Sequence, residues 1–502
     1  MTAPPDPSKG VSAQQVYRSG AIAVVIAWSM RLIGLVSVFV LARTLTPADF
    51  GIVALALATL AIVDVFSALG LRQALLRVKD PDESYYNTVW TIQLLVLIFL
   101  AIVAAALGPV VAWFYEEPAL SWVLAALATR FVFFGLANIG IIDFERNLEF
   151  GRDLRFRLAV RLSTFVVTVG AAIVLQNYWA LVIGGVSQGV IHCIASYIVH
   201  PFRPRLSLAR RAEMLRVSIW MFLASAAYAV SSELERIVVG RIANLDLVGS
   251  YSVSKGLASI FTEEVATALN RVTFVTTART QSNLGAEPVR MQSLLGAYAM
   301  IAAPLGLGLA ATSANSVHVL LGDQWASAAP YLALIAPAAA LFAVFKLITS
   351  SLQASGKAKL AAMLAIAAAA AAICAVAVVM ANGGQALDIA RAILITNASI
   401  LVCAIVILAV DEKANVVPLL LAPARPFAAA AIMYFGVVCI AGSADVSLII
   451  LLQQAALGAA IYAVSLPAIW AISGRPQGAE TIVYSALLSR VSERTAKGSD
   501  AF

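Results

Sequence analysis

Residues 21–42 read AIAVVIAWSMRLIGLVSVFVLA, an apolar run with Arg31 near its middle. As a helix this run is about 33 Å long at 1.5 Å per residue, enough to cross the hydrocarbon layer of a bilayer. An arginine at the centre of such a span costs about 2.5–3.5 kcal/mol on insertion scales, so it calls for a bundle interior or a wet cavity. The stretch therefore sets the class of fold: helices through a membrane, with charge held among them.

The rest of the chain repeats that pattern. Hydrophobic residues make up 61% and charged residues only 12% of the 502 positions, against about 25% charged in soluble domains. Apolar runs bounded by charge, Pro or Gly centre near residues 32, 61, 101, 131, 166, 189, 228, 260, 304, 341, 369, 398, 433 and 459. These predict an all-α membrane protein of about fourteen transmembrane helices. Every second joint is basic, as in RQALLRVKDPDE (72–83), ERNLEFGRDLRFR (145–157) and PFRPRLSLARRAEMLR (201–216), while the joints between them, such as YEEPAL, LGDQW and GSADVS, are acidic or neutral. By the positive-inside rule both termini are cytoplasmic, which an even number of crossings requires.

The net charge of +7 then has a topological cause, and no nucleic-acid partner is expected. The polar opening, MTAPPDPSKGVSAQQVYRSG, precedes a full-length span rather than a cleavable leader. Cys193, Cys374, Cys403 and Cys439 fall in apolar runs without metal spacing, so they are expected to be buried small residues, with no metal or cofactor. No joint is long enough to hold a folded domain, which places the chemistry among the helices.

An internal repeat organises the spans. ARTLTPADFGIVALALATLAIV (42–63) and GRIANLDLVGSYSVSKGLASIF (240–261) each carry an Arg (Arg43, Arg241), an Asp (Asp49, Asp246) and a Gly eight residues after the Arg (Gly51, Gly249). A looser echo links residues 114–136 with 320–345. The expected division is a cytoplasmic tail (1–19), a six-helix lobe (20–200), a basic cytoplasmic linker (201–216), a second six-helix lobe (217–410), two added C-terminal helices (411–472) and a cytoplasmic tail (473–502). Six is even, so the lobes share one orientation, as in transporters whose site lies between two lobes near the midplane.

Charges within the spans mark the candidate site. Arg31, Arg130, Arg236, Lys255 and Lys346 would form a cationic cavity, with Asp64, Glu233, Glu235 and Glu263 balancing charge or carrying a coupling H+ or Na+. Cations slightly outnumber acids near mid-depth, which suits an anionic substrate, because arginine forks pair with phosphate oxygens and a low-dielectric wall strengthens the attraction. Glu235 with Arg236, or Lys255 with Glu263, are alternatively structural ion pairs. Arg31 and Arg130 are too central to reach the headgroups.

Seven motifs in order, L-x-P-x-D-F-G (45–51), GLRQALLRVKD (70–80), NTVW (87–90), FYEEPAL (114–120), RNLEF (146–150), ERIVVGRIANLDLVGSYSVSKGLA (235–258) and LLGDQWASAAPYLALIA (320–336), carry a resemblance from about residue 15 to 440. The chain resembles the polysaccharide transporter family of the colanic acid and succinoglycan export type, in the superfamily of the lipid II flippase and the multidrug extruders. Family members usually place Asp before the R-x-x-x-G-R of the seventh span, where this chain has Glu235. The resemblance implies a non-enzymatic flippase in the bacterial inner membrane. It would move undecaprenyl-diphosphate-linked oligosaccharide repeat units by alternating access for exopolysaccharide or lipopolysaccharide synthesis, with membrane lipids, a polysaccharide polymerase and chain-length or export machinery as partners. The alternatives are a multidrug extruder of the same superfamily, which should present net acid to its cations, and a polymerase or ligase, which needs external groups that these short loops lack.

Overall fold

The computed structural model describes residues 30, 32–67, 71–78, 80–147, 149–214, 219–260, 262, 291–441, 446–476, 478 and 480–481, and these are helical with short joints. The helices are α1 (Leu32–Thr44), α2 (Pro47–Asp64), α3 (Leu71–Arg77), α4 (Glu83–Tyr115), α5 (Ala119–Leu136), α6 (Asp143–Arg146), α7 (Phe150–Leu175), α8 (Trp179–Val199), α9 (Arg211–Met214) and α10 (Ile219–Ile242). They continue with α11 (residues 245–260), α12 (Met291–Ala311), α13 (Ser313–Leu321), α14 (Ala329–Ala354), α15 (Ala358–Ala381), α16 (Ala386–Asp411), α17 (Val416–Ala441) and α18 (Leu448–Ile472).

Eleven of these are long and apolar enough to cross a membrane: α2, α4, α5, α7, α8, α12 and α14 to α18. The other three expected positions hold α1, shorter within the described residues, α11, and α10, whose 24 residues include Glu233, Glu235, Arg236 and Arg241. The count of fourteen depends on these three in addition to the eleven.

Local sequence sets the ends. Asp82 caps α4 by accepting from the Tyr85 amide, and Glu116 closes the same helix in the left-handed region at φ 58°. Gln385 and Asp388 form a reciprocal capping box at the start of α16, satisfying amides that have no partner inside the helix. The alanine-rich α15 buries Ala361, Ala365, Ala368 and Ala372 along one stripe and exposes Met363, Ile366 and Ile373 on others. Spacings of three and four residues put the small side chains on one face, where a neighbouring helix can approach closely. The cysteines correct their expectation: Cys374, Cys403 and Cys439 are exposed and Cys193 is half-buried. Three of them sit on outward faces of apolar helices, where a thiol is apolar enough to meet lipid.

The chain groups into two compact units, 1–46 with 56–222, and 47–55 with 223–502. In the first unit the basic segment after α8 is a docked strap. The amides of Arg205, Ser207 and Arg210 donate to Asn87 Oδ1 at 2.7 Å, Thr91 Oγ1 at 2.9 Å and Thr88 Oγ1 at 3.3 Å on α4. Asn138 Nδ2 donates to the carbonyls of His200 and Phe202, and the Tyr85 hydroxyl donates to Glu213 Oε2 at 2.5 Å. The NTVW motif is thus the seat of the strap.

The second unit contains the meeting of the two repeat-related helix starts. A Cβ on Gly51 would fall inside contact distance of the Leu245 carbonyl, and a Cβ on Gly249 inside that of the Pro47 carbonyl. Each glycine lies four residues into its helix and meets the first residue of the other, so the contact is locally two-fold. Nearby, the Asp323–Ala328 turn carries the fully buried Trp325, whose ring meets Phe50 edge-on at 5.1 Å. Ser250 shares a 2.8 Å hydrogen bond with Ser327, and Ser254 Oγ donates to the Ala328 carbonyl at 2.9 Å.

A side chain at either glycine meets backbone, which cannot rotate away. Gly51→Ala and Gly249→Ala are therefore expected to lower the thermal midpoint of the purified protein sharply, and the leucine variants to abolish a monodisperse folded species. Gly170, exposed inside α7 with nothing within 4 Å of its Cβ position, is the contrast: Gly170→Ala should stabilise by roughly 0.5–1 kcal/mol, the ordinary helical gain.

Candidate functional site

Among the described residues of the second unit, Glu233, Glu235, Arg236 and Lys255 form two ion pairs. On α10 and α11, Tyr251 donates its hydroxyl to Glu235 Oε2, Lys255 Nζ lies 3.4 Å from Glu235 Oε1, and Lys255 also donates to the Ser232 carbonyl. One turn away, Arg236 Nη1 donates to Glu233 Oε2 at 2.5 Å. Glu235 is 7% exposed, and a carboxylate that deep is tolerable because an ammonium and a phenol both meet it. The alternating pairs follow from spacing: Glu233 and Arg236 are i and i+3 on one helix face, whereas adjacent Glu235 and Arg236 point apart. The expected Glu235–Arg236 pair is replaced for this reason.

Glu235, Tyr251, Lys255 and Ser232 line a cleft of about 80 Å3, whose remaining wall includes Ala338, Phe342, Ala372 and Asn397. Lys346 Nζ sits 5.3 Å from the Phe342 ring centroid, a cation–π contact. Near it the Tyr228 hydroxyl donates to Thr349. The cleft is therefore amphipathic: hydroxyls and one ion pair on the α10–α11 side, methyls and an aromatic ring opposite.

The first unit is organised differently. Arg130, the twelfth residue of the eighteen in α5, is half-buried, and its Nε has no hydrogen-bond partner. Its guanidinium lies 5.7 Å from the Phe131 ring, and Asp64 is the acid that interacts with it electrostatically, although no ion pair joins them among the described residues. The Asp64 carboxylate accepts from Ser67 Oγ at 2.8 Å. Arg31 and Glu263 lie outside the described residues.

One charge escaped the sequence reading. Arg161 lies four residues past the basic joint of 145–157, inside the expected fifth span, and is not among the expected site residues. In the structure α7 begins at Phe150, which lifts Arg161 about 16 Å along the helix, near its middle. Its Nη2 lies 3.2 Å from the Cβ position of Gly34 on α1. The signal that finds it is already in the sequence: it lies five residues from the centre of an apolar run, whereas Arg152, Arg155 and Arg157 lie in the basic joint.

The motifs that carry the resemblance hold backbone together around these charges. Arg146 of RNLEF donates to the Val78 carbonyl at 2.6 Å, and Arg72 of GLRQALLRVKD pairs with Glu145 at 2.5 Å. His200 packs beside Asp143 at 3.4 Å and accepts from the Phe202 amide, while His192 sits between the rings of Phe134 and Phe156.

With this geometry in place, the chain was compared with known proteins. A family model described as polysaccharide biosynthesis protein matches residues 40–330. The lipopolysaccharide biosynthesis protein WzxC of Escherichia coli is 24% identical over 349 residues, covering 68% of this chain and 70% of that one. The succinoglycan biosynthesis transport protein ExoT of Rhizobium meliloti is 24% identical over 303 residues, covering 60% and 61%. Of solved structures, the lipid II flippase MurJ in an inward closed conformation superposes with a TM-score of 0.67 at 12% identity, across 89% of this chain and 98% of that one. An inward-facing multidrug resistance transporter of the MATE family superposes with 0.54 at 12% identity, across 82% and 98%. These two likenesses establish the fold.

The Glu235–Lys255 pair yields a direct test. Removing one partner of a buried pair strands the other and costs about 3–5 kcal/mol, whereas replacing both with apolar residues is close to neutral. Glu235→Leu alone is expected to lower the unfolding midpoint strongly, and Glu235→Leu with Lys255→Met to recover most of it; a double variant as unstable as the single would mean that the pair is not coupled.

Proposed function

Because the chain belongs to the polysaccharide biosynthesis protein family, we propose that it is a flippase for lipid-linked oligosaccharides. It would move polyprenyl-diphosphate-linked repeat units from the cytoplasmic to the outer leaflet of the bacterial inner membrane by alternating access, for exopolysaccharide or lipopolysaccharide synthesis. Both termini lie in the cytoplasm in this reading, consistent with the basic joints. A polymerase and chain-length or export machinery are its partners downstream.

The observation that carries the reading is Arg130, a guanidinium deep in an apolar helix with no ion-pair partner among the described residues, on a fold shared with a lipid II flippase. A substrate phosphate supplies the missing counter-charge, and the prenyl tail stays in lipid. Arg31 acts with it from the first span. Arg236, Lys255 and Lys346 add positive potential from the second unit, each already engaged by a neighbour. Asp64 and Glu235 carry the coupling H+ or Na+, with Glu233 and Glu263 balancing charge. A drug extruder on the same fold would instead leave acids unpaired for its cationic cargo, and here Glu233 and Glu235 are both paired.

Deletion of the gene is expected to trap lipid-linked repeat units in the inner leaflet and stop surface polymer; intact polymer with lost drug tolerance would sink the reading. Arg130→Ala and Arg31→Ala should each abolish polymer export while the protein remains inserted, measured as surface polysaccharide against membrane-fraction abundance.

A further inference from the structure

The strap that follows α8 sits at the level of the lipid headgroups. Its seat, α4, is 33 residues long, about 50 Å at 1.5 Å per residue, against about 30 Å of hydrocarbon. The last three residues of α4, Trp113, Phe114 and Tyr115, are of the aromatic kind that gathers at a membrane interface. Counting back about twenty residues from them puts the opposite boundary near Thr91. Asn87, Thr88 and Thr91, which accept the amides of the strap, therefore lie at or just beyond that boundary. The strap also starts where a lipid-facing stripe ends. Ile194 and Ile198 stand one turn apart on α8 and are 56% and 78% exposed, and Pro201 follows three residues later.

Fixed by its backbone, the strap leaves a mixed set of side chains outside. Residues 203–211 read RPRLSLARR. Leu206 is 73% and Leu208 41% exposed, and Arg203, Arg205 and Arg211 are exposed beside them. Arg203 secures the exit from α8, donating to the carbonyls of Tyr197, His200 and Phe202 and lying 5.5 Å from the Tyr197 ring. Arg210 is held by Glu213 and Asp82. Arg205 and Arg211 bracket the two leucines. At the edge of a bilayer these residue types complement one another, since leucines enter the acyl region while arginine stems reach out to lipid phosphates.

We propose that the strap is a docking surface for anionic phospholipid of the cytoplasmic leaflet, the side to which its arginines assign it. Arg205 and Arg211 meet the headgroup phosphates, and Leu206 and Leu208 enter the acyl layer. The inference goes beyond the transport reading and stands without it. Residues 201–214 hold four arginines against one glutamate, and anionic lipid is drawn to such a cluster beside a membrane span within a Debye length. The seat matters as much as the charge. Amides at 205, 207 and 210 anchored on α4 fix the height of the segment, so its arginines are presented at one depth rather than on a loose tether.

The test is photo-crosslinking of the full-length protein in phosphatidylcholine nanodiscs that carry a trace of photoactivatable phosphatidylglycerol or, in a parallel sample, photoactivatable phosphatidylcholine, with the labelled peptides mapped by mass spectrometry. The peptide holding residues 201–214 is expected to take severalfold more label from phosphatidylglycerol than from phosphatidylcholine. Arg205→Gln and Arg211→Gln should each cut that preference about fivefold or abolish it, the scale of one basic residue at an anionic surface, and raising salt from about 0.1 to 1 M should cut it further. Leu206→Ser should lower labelling by both lipids. Asn87→Ala, which keeps every arginine but removes part of the seat, should also lower the preference, while Arg391→Gln, an exposed arginine paired with Asp388 in the second unit, should leave it unchanged. Circular dichroism and size-exclusion profiles matching wild type confirm that each variant is folded. Equal labelling by the two lipids, no labelling of the strap by either, or a preference that survives in the folded Arg205→Gln, Arg211→Gln double variant would overturn the proposal. Loss of the preference on adding millimolar glycerol phosphate would overturn it too, by showing a site for soluble anions in place of a lipid surface.

Discussion

The backbone contact of Gly51 with the Leu245 carbonyl, and of Gly249 with that of Pro47, is the constraint on which the second unit is arranged. It lets two helix starts touch without side chains between them. Once α11 is set by that contact, Ser250 and Ser254 reach the turn at Ser327 and Ala328, and the buried Trp325 closes on Phe50. The same placement carries Tyr251 and Lys255 to Glu235 on α10. In a membrane, where burying an apolar side chain against another gains little over burying it in lipid, close backbone approach and interhelical hydrogen bonds are the available sources of specificity.

The motifs most visible in the sequence turn out to be fastenings. L-x-P-x-D-F-G supplies one half of the glycine contact, NTVW seats the strap, RNLEF and GLRQALLRVKD lace the joints after α5 and α2, and GDQWASAAPY anchors α11. Each joins a helix end to a turn through directed polar contacts, which demand particular residues at particular spacings. Arg130, by contrast, sits singly in an apolar helix and belongs to none of these motifs. A lipid-linked sugar is held by a few phosphates, so a flippase can vary its interior more freely than the joints that keep its helices in place.

The charges themselves divide by environment. In the second unit Arg236, Lys255 and Lys346 each have an immediate partner: Glu233, Glu235 and the Phe342 ring respectively. In the first, the buried Arg130 Nε has no hydrogen-bond partner and no ion pair joins Arg130 to an acid among the described residues. Both sets look alike as letters in apolar runs, and only the distances separate an ion pair from a guanidinium that has none.

The sequence alone determined that the protein crosses a membrane many times, that it is all helical, that its opening helix pairs repeat, and that charge is kept inside its spans. Those properties follow from the period of apolar runs, the alternation of basic joints and the cost of burying charge, all of which are written locally. Tertiary structure decided the rest. It exchanged the adjacent Glu235–Arg236 pair for Glu235–Lys255 across two helices, because neighbours in a helix point apart. It also turned a basic linker into a strap on α4. Partner choice and depth depend on where a helix begins and what crosses it, and those are set by contacts between residues far apart in the chain.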